Sequence, residues 1–376
     1  MGQKFESKTL RWVVEPAAWI AAAAVLAGCG GGSVATTASP GASPASIDSL
    51  IAKSKSETGL VIYGNIPDTY FTPVTDGFKA AYPGINIQYS DLTDPEVFSK
   101  YQAERAQGAR TADVLIASAP ALWIQAETSG LISKITPQGM SKFPSFTTQA
   151  PGLFVMSPDP VISAYNTKLL SASSAPDSYS GLVAAVKANP SKYSLVSYAI
   201  DDQYAYGAIY GLIKILGWDT YWALQDQLAA NTKTYNEGLT QLTQVATGAA
   251  NYGYIGSGLG QQVIPLVTHG LVQSQYMKDA TPLVPRGIAV TAGATSPSSA
   301  QLFLDYIFSD AGQQTLCTVG FEAAENNFVP SNGCIANLAA LQKAVPNSKI
   351  YLVPMNQDVL DQQSKIVARW NQSFHR

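Results

Sequence analysis

The stretch GLVIYGNIPDTYFTPVTDGFKAAYPGINIQYS, residues 59–90, decides the fold. Its first six residues, GLVIYG, form a short continuous apolar and β-rich run, the kind that is buried on both faces of a parallel sheet. Over residues 71–82 the apolar positions recur three and four apart, which is the spacing of one helix face, and Pro83-Gly84 stops that helix. INIQYS (85–90) then returns to strand character. Strand, helix and strand in this order predict parallel neighbours with a helix packed across them.

The same alternation continues outward. Helical spacing over 95–107, the strand-like ADVLIAS (112–118) and a helix over 122–129 ended by Gly130 complete a first α/β unit. VISAYNTKLL (161–170) runs extended into the turn-rich SASSAPDSYSG. A second set follows: YSLVSYA (193–199), helices over 203–216 and 219–230, TKTY (232–235), a helix to Thr247 and YGYIGS (252–257). PLVPRGIAVTAG (282–293) is strand-like again, and helices over 298–309, 310–320 and 357–374 close the chain. No repeat of solenoid period is present. Two α/β lobes are expected, each a mostly parallel sheet flanked by helices.

Residues 1–28 read as an export signal. Lys4, Lys8 and Arg11 precede an apolar run over 17–27, which is well short of the ~20 residues of a membrane-spanning helix. Leu26-Ala27-Gly28-Cys29 closely resembles a bacterial lipobox, making Cys29 the expected lipidation site and membrane anchor. GGGSVATTASPGASPA then holds no large apolar residue beyond Val34, so residues 29–45 read as a flexible tether. Removing the signal leaves enough chain for two sizeable cores.

Cys317 and Cys334 remain. An even count in an exported protein favours a disulfide, worth about 3 kcal/mol by loop entropy, over two unpaired buried thiols. Charged residues make up only 13 % of the chain, the net charge is −3, and no basic cluster interleaves with aromatics, which argues against nucleic acid as a partner.

An enzyme would need catalytic groups. The only histidines are His269 and His375, and HExxH, CxxC and G-x-S-x-G are all missing, with Ile255 standing where the first glycine of the last motif belongs. His269 fits a capping or packing role at a helix end. GSGLG (256–260) reads either as a tight turn or as a helix N-terminus lining a cleft. A secreted hydrolase is thereby disfavoured, and a tethered surface-interaction protein is the other alternative to a solute binder.

Open α/β sheets bind ligands just beyond the carboxyl ends of their strands. Those places hold Tyr63, Asn65, Asp68, Tyr70, Ser118 and Trp123 in the first unit. In the second they hold Asp201, Asp202, Gln203, Tyr204, Tyr254 and Ser257. The set is polar and aromatic without Lys or Arg, suited to an amphipathic small molecule or a cation. The expected ligand-binding residues are Tyr63, Asn65, Asp68, Ser118, Asp202, Tyr204, Tyr254 and Ser257, with no cofactor.

LVIYGNIPDTYFTPVTDGFKAAYPGINIQY, TADVLIASAPALWIQAETSGLI, VISAYNTKLL and PRGIAVTAGATSPSSAQLFLDYIFSDAGQQTL, four segments in order, resemble the extracellular solute-binding proteins of ABC importers. The likeness is to the branch that includes ferric-iron, thiamine, phosphonate and polyamine binders. It implies a type II periplasmic-binding-protein-like fold whose two lobes are joined by two crossing strands, at Ala164-Tyr165-Asn166 and Arg286-Gly287-Ile288. The lobes are expected at 46–163 plus 287–376 and at 164–286. By the same likeness the protein is a monomer that does no chemistry, captures a small ligand or ion outside the cytoplasm and delivers it to a membrane permease. Family iron binders place adjacent tyrosines where this chain reads NYGYIGSG; here Gly253 separates Tyr252 from Tyr254. Both ferric iron, held by Tyr254 with Asp68 or Asp202, and an organic solute of the thiamine, polyamine or phosphonate kind stand as ligand classes.

Overall fold

The computed structural model describes residues 46–260, 264, 268–331 and 333–375. The export signal, Cys29 and the tether lie outside the described residues. Among those described, no helix is long and apolar enough to cross a membrane.

The opening stretch forms β1 (Leu60–Gly64), α2 (Asp68–Ala81) and β2 (Ile87–Asp91), preceded by α1 (Ile47–Ser54). β1 pairs in parallel with β2 on one side and with β3 (Val114–Ala117) on the other. α3 (Asp94–Ala106) begins with a reciprocal capping box between Thr93 and Glu96, and α4 (Pro120–Thr128) begins with proline at its first position. Buried Asp113 ties this sheet to the start of α9 (Pro297–Ile307), accepting the Val61, Thr295 and Ser296 N–H groups at 2.8–3.0 Å.

The second sheet contains β6 (Leu195–Tyr198), parallel to both β7 (Thr232–Tyr235) and β8 (Tyr252–Ser257). Around it lie α5 (Tyr179–Ala188), α6 (Gln203–Leu216), α7 (Trp218–Ala229) and α8 (Gly238–Ala246). Two long strands, β5 (Leu153–Asn166) and β10 (Thr281–Val290), join the sheets, and the short β4 (Thr148–Ala150) pairs with β5. The strand order is β2-β1-β3-β10-β5-β8-β6-β7. The fold is thus the expected mixed α/β one, two sheets joined by two crossing strands.

The passage between sheets falls earlier on β5 than the likeness implied. β10 pairs with β5 from Leu283↔Pro160 to Ile288↔Phe154, whereas Val161 to Asn166 already pair with β8 and with β9 (Val272–Tyr276). Ala164-Tyr165-Asn166 therefore lies inside the second sheet, and Gly287-Ile288 pairs with Ala117-Ile116 of the first. At the passage Pro158 and Pro160 face Pro285 and Leu283, with Pro282 nearby. Proline has no N–H to donate, so the ladder is thinned at the point where the sheets must part.

One hydrophobic core, with Ile62, Phe71, Phe78, Ile116 and Phe303, fills the first sheet's helical layer. A second runs from Phe98 and Trp123 through Val284 to Tyr206, Tyr254 and Trp370. Burial of each such large side chain stabilises by ~1.5–3 kcal/mol. The final helix α12 (Gln357–Ser373) follows α10 (Asp310–Thr318), α11 (Leu338–Ala344) and β11 (Ile350–Leu352). It packs on α4, α6 and α7. Lys214 pairs with Asp358 at 2.9 Å, Lys365 stands 4.1 Å over the Trp218 ring, and Arg369 pairs with Asp226 while covering Trp222. Cys317 and Cys334 are brought to a Cα separation of 4.8 Å, within bridging range.

Candidate functional site

Polar side chains gather where the two sheets meet, each delivered by the end of an element. Asp94, the first residue of α3, accepts the Ser118 N–H beyond β3 at 2.9 Å. Asn65, just past β1, accepts the Arg286 guanidinium at its side-chain oxygen and also bonds Asp94. Arg286 on β10 is buried; its Nε and Nη2 reach Asp159 of β5 at 3.0 and 2.8 Å, and its cation lies 5.5 Å from the Phe321 ring. Ser157 donates to Asp159 and accepts the Glu322 N–H at 2.9 Å. From the second lobe, Asp202 caps α6 by accepting the Ala205 N–H at 3.0 Å. Next to it the Tyr198 and Tyr204 rings pack 5.6 Å apart. The Tyr204 hydroxyl is directed to the carbonyls of Pro160 (3.1 Å) and Gly256 (3.2 Å), with Ser257 adjoining.

Burial dominates the electrostatics. It pushes Asp94 up to about 6, with Asp159 adding to the rise and Arg286, the Ser118 N–H and Asn65 opposing it. Asp202 rises to about 7, through burial first and the Asp94 carboxylate second. Glu322 rises to about 8 by burial and then by Asp159. Asp159 itself is raised by burial despite Arg286. Of the buried side-chain atoms that have no hydrogen-bond partner among the described residues, Ser118 Oγ, Gln203 Oε1 and Glu322 Oε2 belong to this cluster. A buried polar atom left unpaired costs about 1–3 kcal/mol, so at each of these three a bound group would supply a missing partner.

Of the residues expected at the site, Asn65, Ser118, Asp202, Tyr204 and Ser257 come together here. Tyr63 does not: its hydroxyl donates to Glu104 at 2.7 Å and Lys100 stands over its ring, so it belongs to the α3 side of the first sheet. Asp68 lies exposed on the first turn of α2, in electrostatic reach of Asp91 and Tyr89. Tyr254 is wholly buried in the second lobe, with its hydroxyl on Gln225 (3.0 Å) and Thr232 (3.1 Å). Tyr252 points to the same core and reaches the Pro176 carbonyl at 2.5 Å. Trp123 is a core residue bonded to the Ala117 carbonyl.

Arg286, which lies within β10 and so was not among the strand-end positions, stands with this set. Asp94, Asp159 and Glu322 were also missed. A lone charge inside each of the apolar runs MSPDPVIS and PLVPRGIAV was the available signal for Asp159 and Arg286. GSGLG contributes a short 3₁₀ turn at Gly258–Gly260; a Cβ on Gly258 would come within 2.5 Å of the Pro160 ring, so glycine is needed for the close approach to the crossing strand. The helix read as following it falls outside the described residues. Ile255 takes a left-handed backbone (φ 58°), rare for a β-branched residue, which breaks strand alternation beyond Tyr254 and turns Gly256 toward Tyr204. His269 is left-handed as well, in a turn after Thr268.

An open recess of about 490 Å³, lined among others by Asp226, Lys233, Tyr235 and Phe374, lies between α7, β7 and the end of α12. It contains none of the clustered carboxylates, so size and chemistry point to different places. The chemistry is the better guide, because the cluster joins unpaired buried atoms to carboxylates contributed by both lobes.

Two α/β units on crossing strands, with receptive polar atoms from both at their junction, define a two-lobed solute-binding protein. The chain belongs to the bacterial extracellular solute-binding protein family, whose profile matches residues 74–344, more than half of its length. This is a family of binders rather than enzymes, and it places the protein outside the cytoplasm. Its structure is similar to the substrate-binding protein of an ABC transporter from Agrobacterium tumefaciens (TM-score 0.75, 19 % identity, covering 85 % of this chain and 96 % of that one). It is also similar to iron-bound HitA from Pseudomonas aeruginosa (TM-score 0.67, 17 % identity, 84 % and 99 %). A periplasmic thiamin-binding protein is a third neighbour (TM-score 0.67, 15 % identity, 85 % and 97 %). The chain has no match among curated protein sequences.

Proposed function

We propose that this protein is the lipid-anchored solute-binding subunit of an ABC importer, a monomer that captures a small solute between its lobes and passes it to a membrane permease. The observation that carries the reading is the presence of buried, unpaired polar atoms contributed by both lobes at one junction, Ser118 Oγ from the first and Gln203 Oε1 from the second. A ligand shifts lobe closure only through contacts that differ between open and closed states, and groups split across the junction have that property. Asn65, Asp94, Ser118, Asp202, Tyr204 and Ser257 are the proposed binding residues.

The lobes divide near 160/161 on β5 and 286/287 on β10, and the bonds of α12 to α6 and α7 carry that helix with the second lobe. An organic solute fits better than ferric iron, because the Tyr252 and Tyr254 hydroxyls are engaged inside the second lobe. Cys29 anchors the chain, and Cys317 and Cys334 form a bridge.

Native mass spectrometry of protein from its own host should show a bound small molecule whose removal expands the molecule in X-ray scattering. Identical scattering with and without that molecule would defeat the reading. Cys29→Ala should abolish acylation and membrane fractionation, and the other two cysteines should resist alkylation until reduced.

A further inference from the structure

We propose that the captured solute carries a positively charged N–H group, an ammonium or guanidinium, seated between Asp94 of the first lobe and Asp202 of the second. The inference rests on the solute-capture reading and names its ligand class.

The charge at the junction is unbalanced. Arg286 has its Nε, Nη1 and Nη2 engaged by Asp159 and Asn65, whereas Asp94 and Asp202, which repel one another, have no cation bonded to either among the described residues. The cluster therefore keeps little donor capacity for an anionic solute. What it leaves unpaired consists mainly of acceptors: Gln203 Oε1 can only accept, and Ser118 Oγ, 1 % exposed, can do so. Ser118 is held at Asp94 by its own N–H, and Gln203 directly follows Asp202, so each orphan stands beside one of the two carboxylates. The Tyr198 and Tyr204 rings next to Asp202 add π-faces suited to a cation.

A bound cation would replace the proton that burial and mutual repulsion favour on these carboxylates. The charged and titratable groups facing the pair are Arg286, Asp159, Tyr198 and, beyond Tyr198, Glu237. Asp159 is bonded to Arg286 and the Tyr198 phenol is raised by burial, so Asp94 and Asp202 are the carboxylates left to exchange protons with the ligand. Affinity should therefore rise with pH, by up to tenfold per unit for each proton displaced.

The test uses the full processed chain, stripped of bound solute, and a panel of small amines and guanidines, each paired with a neutral alcohol or amide and an anionic carboxylate or phosphate of similar shape. Calorimetry and X-ray scattering at pH 5 and pH 8 read binding and closure. At least one ammonium or guanidinium should bind and contract the protein, tenfold or more tightly at pH 8. Asp202→Asn should weaken it at least tenfold, since Asn preserves the helix cap while removing the charge. Unchanged affinity in Asp202→Asn, or binding by no cation up to about 10 mM, overturns the inference. Closure on a neutral or anionic probe alone sinks the cation and leaves solute capture standing; closure on none of the three classes counts against both.

Discussion

Replacing Arg286 by Met should remove the one buried cation of the junction while keeping most of the side-chain volume. Asp159 would lose the Nε and Nη2 contacts at 3.0 and 2.8 Å, and Asn65 would lose its donor. Breaking a buried ion pair from one side costs about 3–5 kcal/mol, because the remaining charge is left without compensation. The sign of the pH dependence follows from Asp159. Its folded-state pKa is already raised by burial, and loss of Arg286 raises it further. A raised folded-state pKa gives a contribution that is fully present below the unfolded value near 4 and is lost as pH climbs through the folded value. The deficit of Arg286→Met should therefore be small at pH 5 and grow toward pH 8. Adding Asp159→Leu removes the stranded carboxylate and should recover most of the loss at pH 8. Urea unfolding of the two single variants and the double variant at both pH values gives the coupling directly. A loss under ~1 kcal/mol at pH 8, an equal loss at pH 5, or no recovery in the double variant would refute the account of the crossing strands as held by this pair.

Other substitutions test the surroundings. Glu322→Gln should add on the order of 1–3 kcal/mol at pH 9 and nothing near pH 4, because the Glu322 carboxyl, raised to about 8, loses its folded-state advantage between about 4.5 and 8; equal melting shifts at both pH values would contradict this. Tyr254→Phe should cost ~1–3 kcal/mol in urea unfolding by stranding Gln225 and Thr232, with solute affinity unchanged, and weakened binding would return Tyr254 to the site. Gly258→Ala pushes a methyl against the Pro160 ring and should destabilise by ~1–3 kcal/mol; a neutral melt would mean that the turn yields freely.

The fold was legible because its signals are local. The residue 59–90 stretch carries a β-rich run, a helical spacing and a Pro-Gly stop within one crossover unit, and each became the element it predicted. The start of α2 was read three residues late, since Asp68 to Tyr70 have no apolar periodicity of their own and join the helix through its N-terminal turn. The strand-end rule named Asn65, Ser118, Asp202, Tyr204 and Ser257, which the structure brings together because topology alone carries those positions to the junction. Tyr63 and Tyr254, which it also named, stand apart because they lie within their strands, where the pleat and not the strand end decides which side a ring takes, and Asp68 lies exposed on the first turn of α2.

The missed residues share a different cause. Asp94 reads as an ordinary first-turn acid, Asp159 and Arg286 as isolated charges in strands, and Glu322 as a loop residue; each acquires its chemistry only from a partner far along the chain. Asp159 and Arg286 are 127 residues apart, and Asn65 and Arg286 are 221 apart. No periodicity spans such distances. What the sequence does display is the cost: an aspartate and an arginine among residues otherwise destined for burial must each find a counter-charge, since an isolated ion there would be worth several kcal/mol of instability. One buried charge of each sign, one on each crossing strand, could have been paired on that ground alone. The pair would then have placed the junction, with Asn65 and Asp94 drawn in as the nearest groups able to satisfy what remained.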